Sequence, residues 1–466
     1  MAIVFKLVFI AGAGAALAAA DSPAGEQRWS VQTSGGVSEQ LGTFGANGTT
    51  FYTADLAGNL IKWDTTAITK AGAPSKMWKY TVPASDQVHE DCDRGINSKP
   101  VLDSAETGIV FGTGIPPQYC VATSGFYKVD AATGNELWNF QLTDFVWTSA
   151  AMAMNDTVVY AVAKDAFGSG DGRMYAFDFA TGEELWLTEV LGSEVFFPAF
   201  LDTPIVGEDG SAYLASENTA VYVINKDGER IFNYTTGSTG STVGMPLLAV
   251  DEANGRLLVT TQDQSANFKQ QAFDLSDGGS KFAELWAVEP DRKEIGYSGN
   301  RLPAVTNGGA GGDVVVAFLG DYLFGLDGAS GDELWRFYAT GAQAKATGNV
   351  PPLLNTEGTS VFVCSYDNSF TNFTSLNIQD GSVNWNSPYK NPYSAQCFGF
   401  EAATDATAGA LVYCVEASTI RVFAADGGEE QWHVDSYGYT PLLDHTKGAA
   451  KCDGGYHMCT DYGPPS

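Results

Sequence analysis

The 466-residue chain predicts an all-β fold: a single β-propeller of eight four-stranded blades with tryptophan docking motifs. Three observations carry that expectation. An aromatic residue closes the same kind of turn at Trp29, Trp78, Trp138, Trp186, Phe232, Trp286, Trp335, Trp385 and Trp432, at intervals of 49, 60, 48, 46, 54, 49, 50 and 47 residues. Such a period marks repeated supersecondary units rather than separate domains. Short alternating apolar runs precede the anchors, and 53 glycines with 12% aromatic residues suit many tight turns and ring-rich packing.

The amino terminus reads as a secretory signal peptide over residues 1–20. Lys6 precedes an apolar run from Leu7 to Leu17, and small residues at Ala18, Ala19 and Ala20 suit cleavage before Asp21. The run is short for a membrane span, and no lipid-anchor cysteine lies near the cleavage point, so a soluble protein, secreted or lumenal, is expected. The propeller then occupies 21–445, with Trp29 on a leading strand that helps close the ring. Eight complete units end at Trp78, Trp138, Trp186, Phe232, Trp286, Trp335, Trp385 and Trp432.

Each unit is expected to hold four antiparallel strands. The first is built around proline, as in Lys99-Pro100-Val101-Leu102, and the second is β-branched and aromatic, as in Val158-Val159-Tyr160-Ala161-Val162. The third, such as Met174-Tyr175-Ala176-Phe177 or Tyr322-Leu323-Phe324-Gly325-Leu326, alternates as a half-buried strand does. A hairpin follows, with the sequence Asp, two residues, Thr or Ser, Gly, Xaa, Glu, Leu, Trp at Asp130–Trp138, Asp178–Trp186 and Asp327–Trp335. The Asp carboxylate bonds the turn backbone, and Gly supplies a positive φ. The returning strand carries the Trp, which is best buried against the neighbouring unit with one acceptor for its indole N–H. Longer hairpins are expected before Trp78 and Trp286.

This D-x-x-T-G-x-x-x-W pattern, preceded by a G-x-x-Y-A-x-D type of strand, resembles the PQQ-type propeller repeat. That repeat occurs in quinoprotein alcohol dehydrogenases and in the bacterial lipoprotein scaffold that helps assemble outer-membrane barrels. The resemblance covers residues 29 to 445 and implies fold more than function, because catalytic and scaffold members share the motif. The dehydrogenases carry adjacent cysteines followed by Asn-Arg-Gly over the quinone. Cys92-Asp93-Arg94-Gly95 matches that in part, with Asp93 where the second cysteine would stand.

Chemistry is expected at the channel mouth, in the loops between blades. These hold Glu90, Asp91, Asp93 and Arg94, then Trp147, Glu194, Asp291, Tyr297, Arg301, Lys345, Tyr393, Tyr437 and Tyr439. If the chain were a dehydrogenase, the resemblance implies Asp91, Asp93 and Arg94 as catalytic candidates. Glu90 and Trp147 would then contact PQQ and its Ca²⁺. The bland reading is an acidic loop beside a disulfide. No resident metal or cofactor is expected on that reading, and the histidines show no metal-ligand spacing. The favoured function is a non-catalytic module binding protein, peptide or glycan at the mouth. The alternative is a PQQ- and Ca²⁺-dependent enzyme oxidising alcohol groups.

Seven cysteines suit an oxidising compartment. Cys452 with Cys459 would clip the tail at 446–466, and Cys92 with Cys120 and Cys397 with Cys414 are further pairs, leaving Cys364 in a strand. N-x-T sequons stand at Asn47, Asn155, Asn233 and Asn372, most of them expected in or beside turns. A formal charge of −30 argues against nucleic acid and anionic membranes as partners.

Overall fold

A computed structural model of the chain describes residues 5–8, 30–33, 43–45, 50–54, 58–64, 75–83, 95–96, 98, 100–113, 124–142, 150–164, 172–191, 204–215, 220–235, 247–262, 267–276, 282–291, 304–305, 313–338, 353–354, 358–367, 370–389, 400–405, 409–415, 419–424 and 430–435. It is all-β, a propeller-like succession of four-stranded antiparallel sheets, with no α-helix among the described residues. In chain order, sheets 1 to 8 fall within 43–81, 101–142, 151–191, 205–235, 247–288, 304–338, 353–389 and 400–435. Phe5–Val8 and Ser30–Thr33 form a separate two-stranded pair. Each of the eight aromatic anchors from Trp78 to Trp432 stands on the fourth strand of its sheet.

Every sheet is a simple meander, each strand paired with its predecessor. Hairpins alternate between the two ends of such a sheet. The first and third hairpins share one end; the second hairpin and the connection to the next sheet share the other.

The cores lie between consecutive sheets. Val110, Phe126, Val159, Tyr175 and Phe177 join sheet 2 to sheet 3, whereas Ile109, Phe111, Tyr127 and Val129 join sheet 2 to sheet 1. The same division recurs in sheet 3, where Met174 and Ala176 face sheet 4. The third strands are therefore not half-buried as their alternation suggests. Met174, Tyr175, Ala176 and Phe177 are all buried, because each face of the sheet packs on a different neighbour. Fourth strands do alternate: Glu136–Leu142 reads exposed, exposed, buried, exposed, half-buried, exposed, buried. A β-bulge interrupts the pairing just before the aromatic anchor in all eight sheets, as between Glu136 and Trp138.

Candidate functional site

The residues expected at the channel mouth lie almost entirely outside the described part of the chain. This holds for Glu90, Asp91, Asp93, Arg94, Trp147, Glu194, Tyr297, Arg301, Lys345, Tyr393, Tyr437 and Tyr439, and for Asn47, Cys92, Cys120, Cys397, Cys452 and Cys459. Asp291 is described and exposed, just past the fourth strand of sheet 5. Cys364 and Cys414 stand within the second strands of sheets 7 and 8. Of the sequons, Asn155 occupies a hairpin, but Asn233 and Asn372 stand within strands, because those strands run on past the turns beside them. Among the described residues, no three His, Cys, Asp or Glu side chains converge as a metal site would require.

The described chemistry concentrates at the other end, where the third hairpins of sheets 2, 3, 4, 6 and 7 meet the tryptophan of the sheet before each. In sheet 2, Asp130 Oδ1 accepts from the Ala132 and Thr133 N–H groups and from the Thr133 hydroxyl. Asp178 accepts in the same way from Thr181, and Asp327 from Ala329 and Ser330. These bonds hold the carboxyls below their ordinary range. The Thr133 hydroxyl is the chief cause at Asp130, the Thr181 backbone N–H at Asp178, and the Ser330 backbone N–H at Asp327.

The turn glycine then meets a tryptophan face. Gly134, Gly182, Gly228, Gly331 and Gly381 have φ of +74°, +73°, +84°, +78° and +68°. A Cβ at these positions would lie 2.6–2.8 Å from the ring of Trp78, Trp138, Trp186, Trp286 or Trp335, respectively. Glycine is required twice over, for its backbone conformation and for the ring's close approach.

The same tryptophans donate their indole N–H to the carbonyl of the residue that follows the turn's Asp or Asn. The acceptors are Ala131 at 3.2 Å, Phe179 at 3.0 Å, Lys226 at 2.9 Å, Gly328 at 2.9 Å and Ile378 at 2.7 Å. Three of these carbonyls also accept from a buried cation. Lys62 Nζ donates to Ala131 at 2.7 Å, Lys128 Nζ to Phe179 at 2.7 Å, and the Arg256 guanidinium to Gly328. Lys62 and Lys128 stand directly across the strand pair from Trp78 and Trp138. Burial pulls the Lys128 ammonium below the usual lysine range, while Asp103, Asp178 and Asp130 oppose that shift. Its Nζ also lies 3.3 Å from the Phe179 ring centroid, a cation–π contact.

Arg256 sits in a denser cluster, bridging Asp251 and Asp313 across sheets 5 and 6. Asp313 Oδ1 is buried with no hydrogen bond among the described residues, and desolvation raises that carboxyl against the pull of Arg256. These cations escaped the sequence reading. The available signal was a lone basic residue two positions before the turn Asp, at Lys62 and Lys128, in an otherwise apolar strand.

The contact between sheets 4 and 5 is different. Phe232 replaces tryptophan, and the longer hairpin of sheet 5 places Phe282, not glycine, where the N–H returns to Asp274. Phe282 has φ +66°, and its ring stacks on Phe232 at 4.4 Å between centroids. Tyr234 and Gln271 are hydrogen-bonded across the same contact, and Gln271 also donates to Glu284. Between sheets 1 and 2, Tyr80 donates to Glu136, and burial raises the Tyr80 phenol.

The family model described as outer membrane protein assembly factor BamB matches residues 118–197 and 171–433. The crystal structure of BamB from Moraxella catarrhalis superimposes with a TM-score of 0.50 at 16% identity, covering 85% of this chain and 97% of that one. A quinohemoprotein alcohol dehydrogenase, ADHIIG from Pseudomonas putida HK5, gives a TM-score of 0.47 at 14% identity, with 74% of this chain and 67% of that one covered. A europium-containing methanol dehydrogenase gives 0.45 at 14% identity, covering 83% and 76%. No curated protein matches the sequence.

Proposed function

This chain belongs to the PQQ-type repeat family described as outer membrane protein assembly factor BamB, and on that premise we propose that it is a secreted, non-catalytic binding propeller. The eight sheets close into a ring of eight blades. The tryptophan on the outer strand of one blade docks on the turn of the next. The partner is a protein, peptide or glycan held at the end where blades connect. Tyr297, Tyr393, Tyr437 and Tyr439, expected from the sequence between the blades, would offer an apolar body and a polar tip to such a partner.

The observation that carries this reading is the family match over 118–433. A feature of the sequence strengthens it: Asp93 follows Cys92, so the vicinal disulfide that the resembling dehydrogenases hold over their quinone cannot form here. Residues 1–20 act as the signal peptide, and cleavage near Ala20 removes the strand Phe5–Val8. In the second reading, Asp91, Asp93 and Arg94 would be the catalytic candidates, and Glu90 and Trp147 would contact PQQ and its Ca²⁺, the tryptophan as a floor for the quinone. Bound PQQ would accept the two electrons of an alcohol's oxidation.

Titration of the purified protein with PQQ and Ca²⁺, followed by tryptophan fluorescence with dye-linked alcohol oxidation alongside, separates the two. The scaffold reading expects no saturable binding at tens of micromolar and no turnover. Saturable binding with turnover, lost on Asp91→Ala or Trp147→Ala, would replace it with the dehydrogenase.

A further inference from the structure

We propose that Asn155 and Asn233 carry N-linked glycans, and that the hairpin end and outer rim of sheets 3 and 4 therefore face solvent in the working protein. The inference rests on the secretory reading above and adds to it the sites and the faces they mark.

Asn155-Asp156-Thr157 forms the first hairpin of sheet 3, and both Asn155 and Thr157 are exposed. Met154, Asn155 and Asp156 hold φ of 53°, 54° and 62°, a left-handed run in which asparagine is the best tolerated non-glycine residue. Its neighbours are committed. Asp156 Oδ2 accepts from the Ser104 N–H of sheet 2 at 2.8 Å, and the Thr157 hydroxyl donates to the Met154 carbonyl at 2.7 Å. The Asn155 amide makes no hydrogen bond among the described residues and projects from a turn that its neighbours hold in place.

Asn233 reaches solvent by a different route. It stands on Arg230–Thr235, the last strand of sheet 4, which among the described strands pairs only with Ala220–Ile224. Phe232 and Tyr234 turn into the contact with sheet 5, where Phe232 stacks on Phe282 and Tyr234 bonds Gln271. Strand alternation sends the residue between them to the opposite side, and Asn233 is exposed. Thr235 completes its sequon. In the transfer, the amide nitrogen bonds the anomeric carbon of a lipid-linked oligosaccharide. The lipid diphosphate departs with the bonding electrons, and the amide gives up one proton. Each glycan is bulky and hydrated, so a surface that bears one does not pack against a partner.

The full chain is produced in eukaryotic cells twice, once with its own residues 1–20 and once with a generic signal sequence. The secreted, native protein is treated with peptide N-glycosidase in heavy-oxygen water and mapped by mass spectrometry. The expected result is a heavy Asp at positions 155 and 233, with one glycan fewer on the gel for each of Asn155→Gln and Asn233→Gln. An unlabelled residue in protein exported by the generic signal overturns the assignment at that residue. Release only after denaturation overturns the claim that these faces are open. Labelling with the generic signal, but no export with the chain's own leader, shows that both sequons accept a glycan and overturns the secretory reading, and with it the claim that the working protein bears these glycans.

Discussion

Two contacts between neighbouring sheets solve the same packing problem with opposite volumes. Between sheets 5 and 6, the broad Trp286 ring lies on Gly331, and its N–H is satisfied by the Gly328 carbonyl. Between sheets 4 and 5, the smaller Phe232 lies on Phe282, a large residue held at φ +66° where the turns of sheets 2, 3, 4, 6 and 7 place glycine. The contact that lacks an indole bond has instead the Tyr234–Gln271–Glu284 chain. What is fixed is the filled space between a ring and a left-handed turn; which side supplies the bulk can change. Backbone strain at Phe282 is offset by ring stacking rather than avoided.

The comparison breaks most visibly if the large ring is removed. Trp286→Ala deletes a buried indole, leaves a cavity over Gly331 and removes one of two donors to Gly328. It is expected to cost about 3–5 kcal/mol in urea denaturation. Phe232→Ala, at a half-buried ring, is expected to cost roughly half as much. Gly331→Ala comes next. Its Cβ would lie 2.7 Å from the Trp286 ring at a φ of +78°, for a loss of about 2–4 kcal/mol by the same assay. A smaller effect is expected from Lys128→Met, which keeps most of the packed volume and leaves Trp138 bonded to Phe179. A loss of about 1 kcal/mol fits that role; several kcal/mol would mean that the cation, not the ring, holds sheets 2 and 3 together.

Acid has the smallest predicted effect. The carboxyls of Asp130, Asp178 and Asp327 are lowered in the fold. Their contribution is therefore fully present above the unfolded value of about 4 and is lost as pH falls through the folded values. Asn225 and Asn377 fill the same turn position without titrating, accepting from turn N–H groups through Oδ1. A triple Asp→Asn replacement should leave the neutral-pH melting temperature nearly unchanged and reduce its decline below about pH 4. The effect is modest because the turns are exposed and screened.

Much of this architecture was legible in the chain. The period of the anchors and the Asp and Gly of the hairpin are local signals that correspond to the observed strands and turn dihedrals, and an indole's need for an acceptor is met by a backbone carbonyl at Trp78, Trp138, Trp186, Trp286 and Trp335. Burial of both faces of the third strands was not legible. Alternation in Met174-Tyr175-Ala176-Phe177 reports a strand but not how many sheets flank it. Lys62 and Lys128 were hidden because their partners lie in the next unit, and Phe282 because the insertion before it shifts the turn's usual spacing. The candidate mouth residues, from Glu90 to Tyr439, follow no sequence period and, apart from Asp291, fall outside the described residues, so residue chemistry could name them without bringing them together.

The most direct test of the account is a double-mutant cycle between Phe232 and Phe282, followed by urea denaturation. Phe232→Trp alone should overpack and Phe282→Gly alone should leave a cavity, each costing about 1–3 kcal/mol. The pair together rebuilds the tryptophan-on-glycine contact, with the Leu275 carbonyl in the acceptor position. It should recover to within about 1 kcal/mol of the starting protein, a strong favourable coupling. If the two losses simply add, ring and turn are not one complementary unit, and the ring-on-turn account of how sheets join is wrong.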